Sequence, residues 1–232
     1  MKITSRTHQG LVRLNNEDCV YYDVDGEFAV LADGMGGLLA GEEASQSATL
    51  ACRELLEADP EHETDLNQII QQAHETVCQH ARAKNYIGKM GTTLIVWRTT
   101  LAQGEFGHVG DSRIYSLAEG NLRQLSKDQT VAQRMVDEGH IAQHEAHLAP
   151  KQNVLTQAVG IPGHLDPEVG AAPSEGRLLL CSDGLSDLVS LERIQSALLI
   201  EDIDVAAEEL VKEALDKGGR DNISVIVIDL DA

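Results

Sequence analysis

The chain has 232 residues, and its 18 basic against 38 acidic side chains give a formal charge of −20. It is long enough to bury one substantial core, and it carries the wrong sign for a nucleic-acid or anionic-membrane surface. Four scattered cysteines (Cys19, Cys52, Cys78 and Cys181) offer no CxxC pair, no run is apolar enough to span a bilayer, and MKITSRTHQG has no signal-peptide core. A soluble, cytoplasmic, reduced, monomeric protein with a single domain over 1–232 is expected.

In chain order, Thr7 to Asp18 is polar and places Arg13 four residues before Glu17 and its neighbour Asp18, a solvated charge cluster on the plainest reading. Val20 to Tyr22 reads as a short strand and Asp23 to Gly26 as a hairpin turn. The DxDG of that turn lacks the later oxygen ligands of a calcium loop. Glu27 to Ala32 is a second strand, and it delivers Asp33 into Gly34, Met35, Gly36 and Gly37. Glycines there leave room for an ion or a phosphate and permit backbone conformations closed to other residues.

Helices follow over Glu42–Glu57 and about Asp65–Lys84 from their three- and four-residue apolar steps, with His74 and His80 expected on the surface of the second. Gly91-Thr92-Thr93 opens TTLIVWRTT, whose continuous apolar character predicts one strand well inside a sheet. Strands at Glu105–Val109 and Arg113–Leu117 enclose Gly110-Asp111-Ser112, a turn at 118–121 leads into Leu122–Leu125, and a helix is predicted over Asp128–Glu138. From Gly139 to Pro173 periodicity fails, which predicts an irregular excursion with Asn153–Gly160 as an ordered piece in it. His140, His144 and His147 lack a second ligand cluster and are not assigned to zinc. Arg177–Cys181 is a buried-type strand ending in Ser182-Asp183-Gly184, with Asp187 four residues on. Two helices, Leu191–Leu199 and Asp204–Lys217, precede Gly218-Gly219-Arg220-Asp221-Asn222 and a final strand, 223–230.

Four acids, Asp33, Asp111, Asp183 and Asp221, thus stand beside glycines at strand ends, a pattern that predicts convergence on one rim. Crowded carboxylates repel one another, and cations relieve that repulsion. All-oxygen ligands favour Mg²⁺ or Mn²⁺ over zinc or copper. Two such ions about 4 Å apart, bridged by a carboxylate, hold and ionise a water for in-line attack on phosphorus. An arginine whose fork matches phosphate oxygens is then expected nearby, and Arg13 is available.

The stations R-x-x-N-E-D at 13–18, D-G-M-G-G at 33–37, G-T-T at 91–93, G-D-S-R at 110–113, S-D-G-L-x-D at 182–187 and R-D-N at 220–222 resemble the metal-dependent protein phosphatases of the protein phosphatase 2C type, in their compact bacterial form. The resemblance implies an α+β fold, an α-β-β-α sandwich of two antiparallel sheets between helix pairs. It implies a Mg²⁺- or Mn²⁺-dependent phosphoserine and phosphothreonine phosphatase whose partners are phosphorylated proteins and an opposing kinase. Asp33 would bridge two ions, with Asp183 and Asp221 completing one shell and Glu17 and the Gly34 carbonyl the other. Asp111, Asp183 and Asp187 would hold a weaker third ion. Arg13 would bind phosphate, Asp18 would orient the attacking water, and 139–173 would include a flap. Met35 stands where some members carry a proton-donating histidine. The alternative is a catalytically silent relative that binds phosphoproteins.

Overall fold

A computed structural model describes residues 1–36, 39–100, 103–149 and 153–232, with the side chains of all but Leu39 and His147. Gly37 of the glycine loop, residues 150–152 of the 139–173 segment and the His147 side chain therefore lie outside the described residues.

Eleven strands are described: β1 (Lys2–His8), β2 (Asp18–Tyr22), β3 (Phe28–Met35), β4 (Gly91–Thr92), β5 (Leu94–Thr99), β6 (Gly104–Val109), β7 (Arg113–Ala118), β8 (Asn121–Gln124), β9 (Glu168–Ala172), β10 (Arg177–Cys181) and β11 (Ile223–Asp229). Among the described residues they form two antiparallel sheets. One runs β1-β11-β10-β7-β8; the other runs β2-β3-β5-β6-β9, with β4 beside the end of β3. The helices are α1 (Leu39–Glu57), α2 (Leu66–Ala83), α3 (Val131–Asp137), α4 (Asp183–Ser186), α5 (Leu191–Leu198) and α6 (Ile203–Asp216), with a 3-10 turn at Gln143–Leu148.

Side-chain alternation divides the core into three apolar layers. Val30 and Ala32 of β3 pack with Ala44, Ala48 and Cys52 of α1 and Ile69, Ala73 and Val77 of α2. Their strand neighbours Ala29 and Leu31 point the other way, meeting Ile114, Leu178, Leu180, Ile226 and Ile228 of the second sheet. Beyond that sheet, Leu179, Val225 and Val227 face Ile194, Leu198, Leu210 and Ala214 of α5 and α6. The result is the expected helix–sheet–sheet–helix sandwich. Antiparallel strands commonly leave one face in water, but here both faces are covered, which is why the central strands read as unbroken apolar runs.

Several boundaries differ from the sequence reading. β1 was not predicted: KITSRTH is mostly polar, yet it zips against β11 from Lys2↔Asp229 to His8↔Ile223. β9 lies within the stretch expected to be irregular and pairs with β6. Asp33 sits two residues inside β3 rather than at its end, because Gly34 and Met35 continue into pairing with β4. TTLIVWRTT is broken at Thr93, whose N–H turns to the Asp33 carbonyl (2.9 Å). Asp128 lies outside α3, which Thr130 caps by accepting the Gln133 N–H at 3.1 Å. His74 is buried rather than on the surface, and its Nδ1 accepts the Gly160 N–H at 3.1 Å, tying α2 to that loop.

Candidate active site

The acids meet because both sheets end at the same rim. β2 and β3 set Asp18 directly opposite Asp33. Asp33 is fixed by its backbone: its N–H donates to Thr93 Oγ1 (3.0 Å) and its carbonyl accepts from Thr92 Oγ1 (2.9 Å). Thr93 Oγ1 also meets Ser112 Oγ at 2.8 Å, which joins this corner to the turn carrying Asp111. Gly110 in that turn has φ +109°, and a Cβ there would stand 2.7 Å from the Thr93 side chain, so only glycine permits the approach. Gln129 clamps the same residue, accepting the Gly110 N–H through its side chain (2.9 Å) and donating its own N–H to the Gly110 carbonyl (2.7 Å).

Glu17 is held from three sides. Its N–H donates to Asn222 Oδ1 (2.8 Å), its carbonyl accepts from Ser45 Oγ (2.6 Å) and from the Gly34 N–H (3.1 Å), and its carboxylate lies where a Cβ on Gly41 would be, 2.2 Å from Oε2. Gly34 is as tightly confined: a Cβ would fall 2.2 Å from the Gly41 carbonyl oxygen. Asn222 also donates through Nδ2 to the carbonyls of Gln9 and Asn15, both at 2.9 Å, and so shapes the loop that presents Arg13. On the second sheet, Ser182 Oγ donates to Asp18 Oδ2 at 2.9 Å. Asp183 opens α4, and Asn153 Nδ2 donates to Asp187 Oδ2 at 3.1 Å.

Two adjoining clefts, of about 410 and 1210 Å³, share Asp111, Asn153, Asp183 and Asp221 as walls. Glu17, Asp33, Gly34 and Arg13 line the smaller and Asp187 the larger. Every sequence-predicted acid except Asp18 therefore borders a cleft; Asp18 is half-buried. Burial, and after it the charge of the surrounding carboxylates, holds Asp33 and Asp183 well above the usual carboxylate range. Burial with Asp128 and Asp187 nearby pushes Asp111 to about 7, against the pull of Arg113. Burial raises Asp18 to about 6 even though the Ser224 and Ser182 hydroxyls favour its anion. Burial also raises Asp187 and Glu17, opposed in turn by Arg113 and by Arg13.

Among the described residues no three His, Cys, Asp or Glu side chains are drawn together as a finished metal cage. The donor set nevertheless fits hard divalent cations. It is all oxygen, it is desolvated and mutually repelling, and Asp18 Oδ1 is buried without a hydrogen-bond partner. Arg13 reaches the site but its Nη2 rests on Asp221 Oδ2 at 2.5 Å. Sequence reasoning assigned no role to Asn222, Ser182, Asn153, Thr93 or Asp128. Asn222, Ser182 and Thr93 sit inside quoted motifs, and for the first two direct adjacency to Asp221 and Asp183 was the available signal.

The described residues thus form an antiparallel α-β-β-α sandwich whose two sheets meet in a rim of partly buried carboxylates, with Arg13 and Arg113 beside it. The chain matches the family described as Protein phosphatase 2C over residues 4–217, and it belongs to that family. It is 38% identical to the serine/threonine protein phosphatase PstP of Mycobacterium tuberculosis (strain H37Rv) across 99% of the chain but only 45% of PstP, so it spans about half the length of that relative. It is 32% identical to the serine/threonine phosphatase stp of Listeria monocytogenes (strain EGD-e), over 97% of this chain and 94% of that one. The crystal structure of the catalytic domain of PstP in complex with two manganese ions superposes with a TM-score of 0.85 at 38% identity, covering 98% of this chain and 97% of that one.

Proposed function

We propose that the chain is a Mn²⁺- or Mg²⁺-dependent phosphatase that removes phosphate from serine and threonine residues of proteins. The observation that carries the reading is the smaller cleft, where Glu17 and Asp33 from one sheet converge with Asp111, Asp183 and Asp221 beside Arg13. The manganese-bound PstP domain supports a two-ion centre of the same kind. Glu17, Asp33 and the Gly34 carbonyl would hold one ion, and Asp33, Asp183 and Asp221 the other. Asp111, Asp183 and Asp187 would hold a weaker third.

When bound, the ions would supply Lewis acidity, lowering the pKa of water and offsetting phosphate charge. The chain's own residues do the rest. Arg13 leaves Asp221 to fork onto two phosphate oxygens, the geometry for which guanidinium is suited. Asp18, with Oδ2 occupied by Ser182, has Oδ1 free to accept a hydrogen from the attacking water and so orient it. Asn222 keeps the Arg13 loop and Glu17 in fixed relation. Met35 lines the smaller cleft and has no exchangeable proton, so the leaving alkoxide takes its proton from water or from another residue. The partners would be phosphoproteins and the Ser/Thr kinase that modifies them, met by a monomer; among the described residues no helix is long and apolar enough to cross a membrane.

The test is hydrolysis of p-nitrophenyl phosphate and of a phosphothreonine peptide with Mn²⁺, Mg²⁺ or excess chelator. Turnover is expected with either ion and not with chelator, and no phosphorylated enzyme accumulates. Full activity in chelator, or a covalent phosphoenzyme, overturns the reading.

A further inference from the structure

The loop that presents Arg13 has a property that catalysis does not use. Leu11, Val12 and Leu14 are 65%, 65% and 85% exposed, three large apolar side chains within four residues and bracketing the arginine. Large apolar side chains clustered in water are unfavourable, and on soluble proteins such a cluster marks a contact surface. The loop is also rigid. The Leu11 N–H donates to the Gly219 carbonyl (2.7 Å), Gln9 Nε2 donates to the Arg13 carbonyl (2.7 Å), and Asn222 holds both flanks. The apolar side chains are therefore presented in place, which lowers the ordering cost of whatever binds them.

Val12 and Leu14 form part of the wall of the smaller cleft, so the apolar surface is continuous with the phosphate position. The remaining charged walls of that cleft are Glu17, Asp33, Asp111, Asp183 and Asp221, with Arg13 as the sole cation among the described lining residues. With Arg13 committed to phosphate and the carboxylates to cations, no cationic side chain of that cleft is left to pair with an acidic residue next to the phosphoresidue. An apolar one finds a matching surface.

We propose that Val12 and Leu14 are specificity-determining residues that dock an apolar side chain flanking the phosphoserine or phosphothreonine of the substrate polypeptide. This rests on the phosphatase reading above. It separates from that reading because p-nitrophenyl phosphate has no flanking residues and reports the chemistry alone.

The experiment compares kcat/KM on phosphothreonine peptides in which leucine, serine or glutamate is walked through the three positions on either side of the phosphoresidue. The enzymes are the wild type, a Val12→Ser/Leu14→Ser double variant, and Val24→Ser as a control at another exposed apolar residue, in the β2–β3 turn. Wild type is expected to prefer leucine over serine by about tenfold at one or two positions, the scale of a partly buried apolar side chain, and to rank glutamate last. The double variant should bring leucine and serine within about twofold of each other at unchanged p-nitrophenyl phosphate turnover, while Val24→Ser keeps the preference. The proposal is overturned if no position discriminates or if the preference survives in the double variant. Loss of p-nitrophenyl phosphate turnover in the double variant overturns it as well, because the loop would then support Arg13 rather than the substrate. Absence of wild-type turnover on both substrate types refutes the phosphatase reading instead.

Discussion

Two arginine–aspartate pairs border the same set of acids, and they are built differently. Arg113 grips Asp128 with two N–H groups, Nε at 2.9 and 3.1 Å from the two carboxylate oxygens and Nη2 at 2.6 Å. Gln124 Nε2 adds a donor to Asp128 Oδ1 at 3.0 Å, and the arginine and aspartate side chains are 24% and 15% exposed. Arg13 touches Asp221 through one nitrogen, and those side chains are 55% and 33% exposed. The forked and largely dry pair is made to stay shut. The single, wet pair is weakly held and can part, as the proposed phosphate-binding role requires. Resemblance in charge thus conceals a division between scaffold and working part.

Matched isosteric changes sharpen that contrast. Asp221→Asn should lower p-nitrophenyl phosphate turnover by about 10²- to 10³-fold at fixed Mn²⁺, the order expected when an ion is misplaced. Its midpoint of thermal unfolding should hold or rise, because Asp33 and Asp183 lose a repelling neighbour. A clear drop in the midpoint would mean that the Arg13 pair is structural after all.

Asp128→Asn should do the reverse. Leaving the Arg113 charge without its partner costs about 3 kcal/mol, which for a chain of this size lowers the midpoint by roughly 6–12 °C. Turnover per folded molecule should change little. If instead the enzyme dies at unchanged stability, the division between the two pairs collapses.

The smallest effect expected is on pH dependence. Asp18 and Asp111 titrate near 6 and 7 in the folded chain, and Asp33 and Asp183 are also raised, so between pH 4 and 7 the native state binds more protons than the unfolded one. Stability therefore falls as pH rises through that window. Chelated protein should show a lower unfolding midpoint at pH 8 than at pH 5, and Asp111→Asn should flatten the slope. A midpoint that rises across this range would contradict the crowding of the acids.

Much of this was legible in residues that carry their environment with them. Val30, Leu31 and Ala32 announce a buried strand, and glycines close to Asp111, Asp183 and Asp221 announce crowded turns. β1 escaped because an edge strand is held by backbone hydrogen bonds to β11, which KITSRTH makes as well as an apolar sequence would. β9 escaped for a related reason, since EVGAA is short and contains a glycine that the Phe106 ring covers. His74 was placed on the wrong side of its helix because an imidazole suits either water or a buried N–H, and only tertiary contact with Gly160 decides. The same limit applies to Arg13 and Arg113. Which aspartate each one selects depends on tertiary distances, between neighbouring segments for Arg113 and between opposite ends of the chain for Arg13.

The layer of carbon between the sheets has a consequence for the proposed metal chemistry. Glu17 and Asp33 ride on one sheet and Asp183 and Asp221 on the other, like the jaws of a caliper, and the screw that sets their opening is the packing of Leu31, Trp97, Leu180 and Ile226. Mg²⁺ and larger cations differ by only a few tenths of an ångström in their preferred distance to oxygen. A methyl group gained or lost in that dry layer alters the gauge by the same order, so the cation that the proposed site would favour is open to tuning by residues that never touch it.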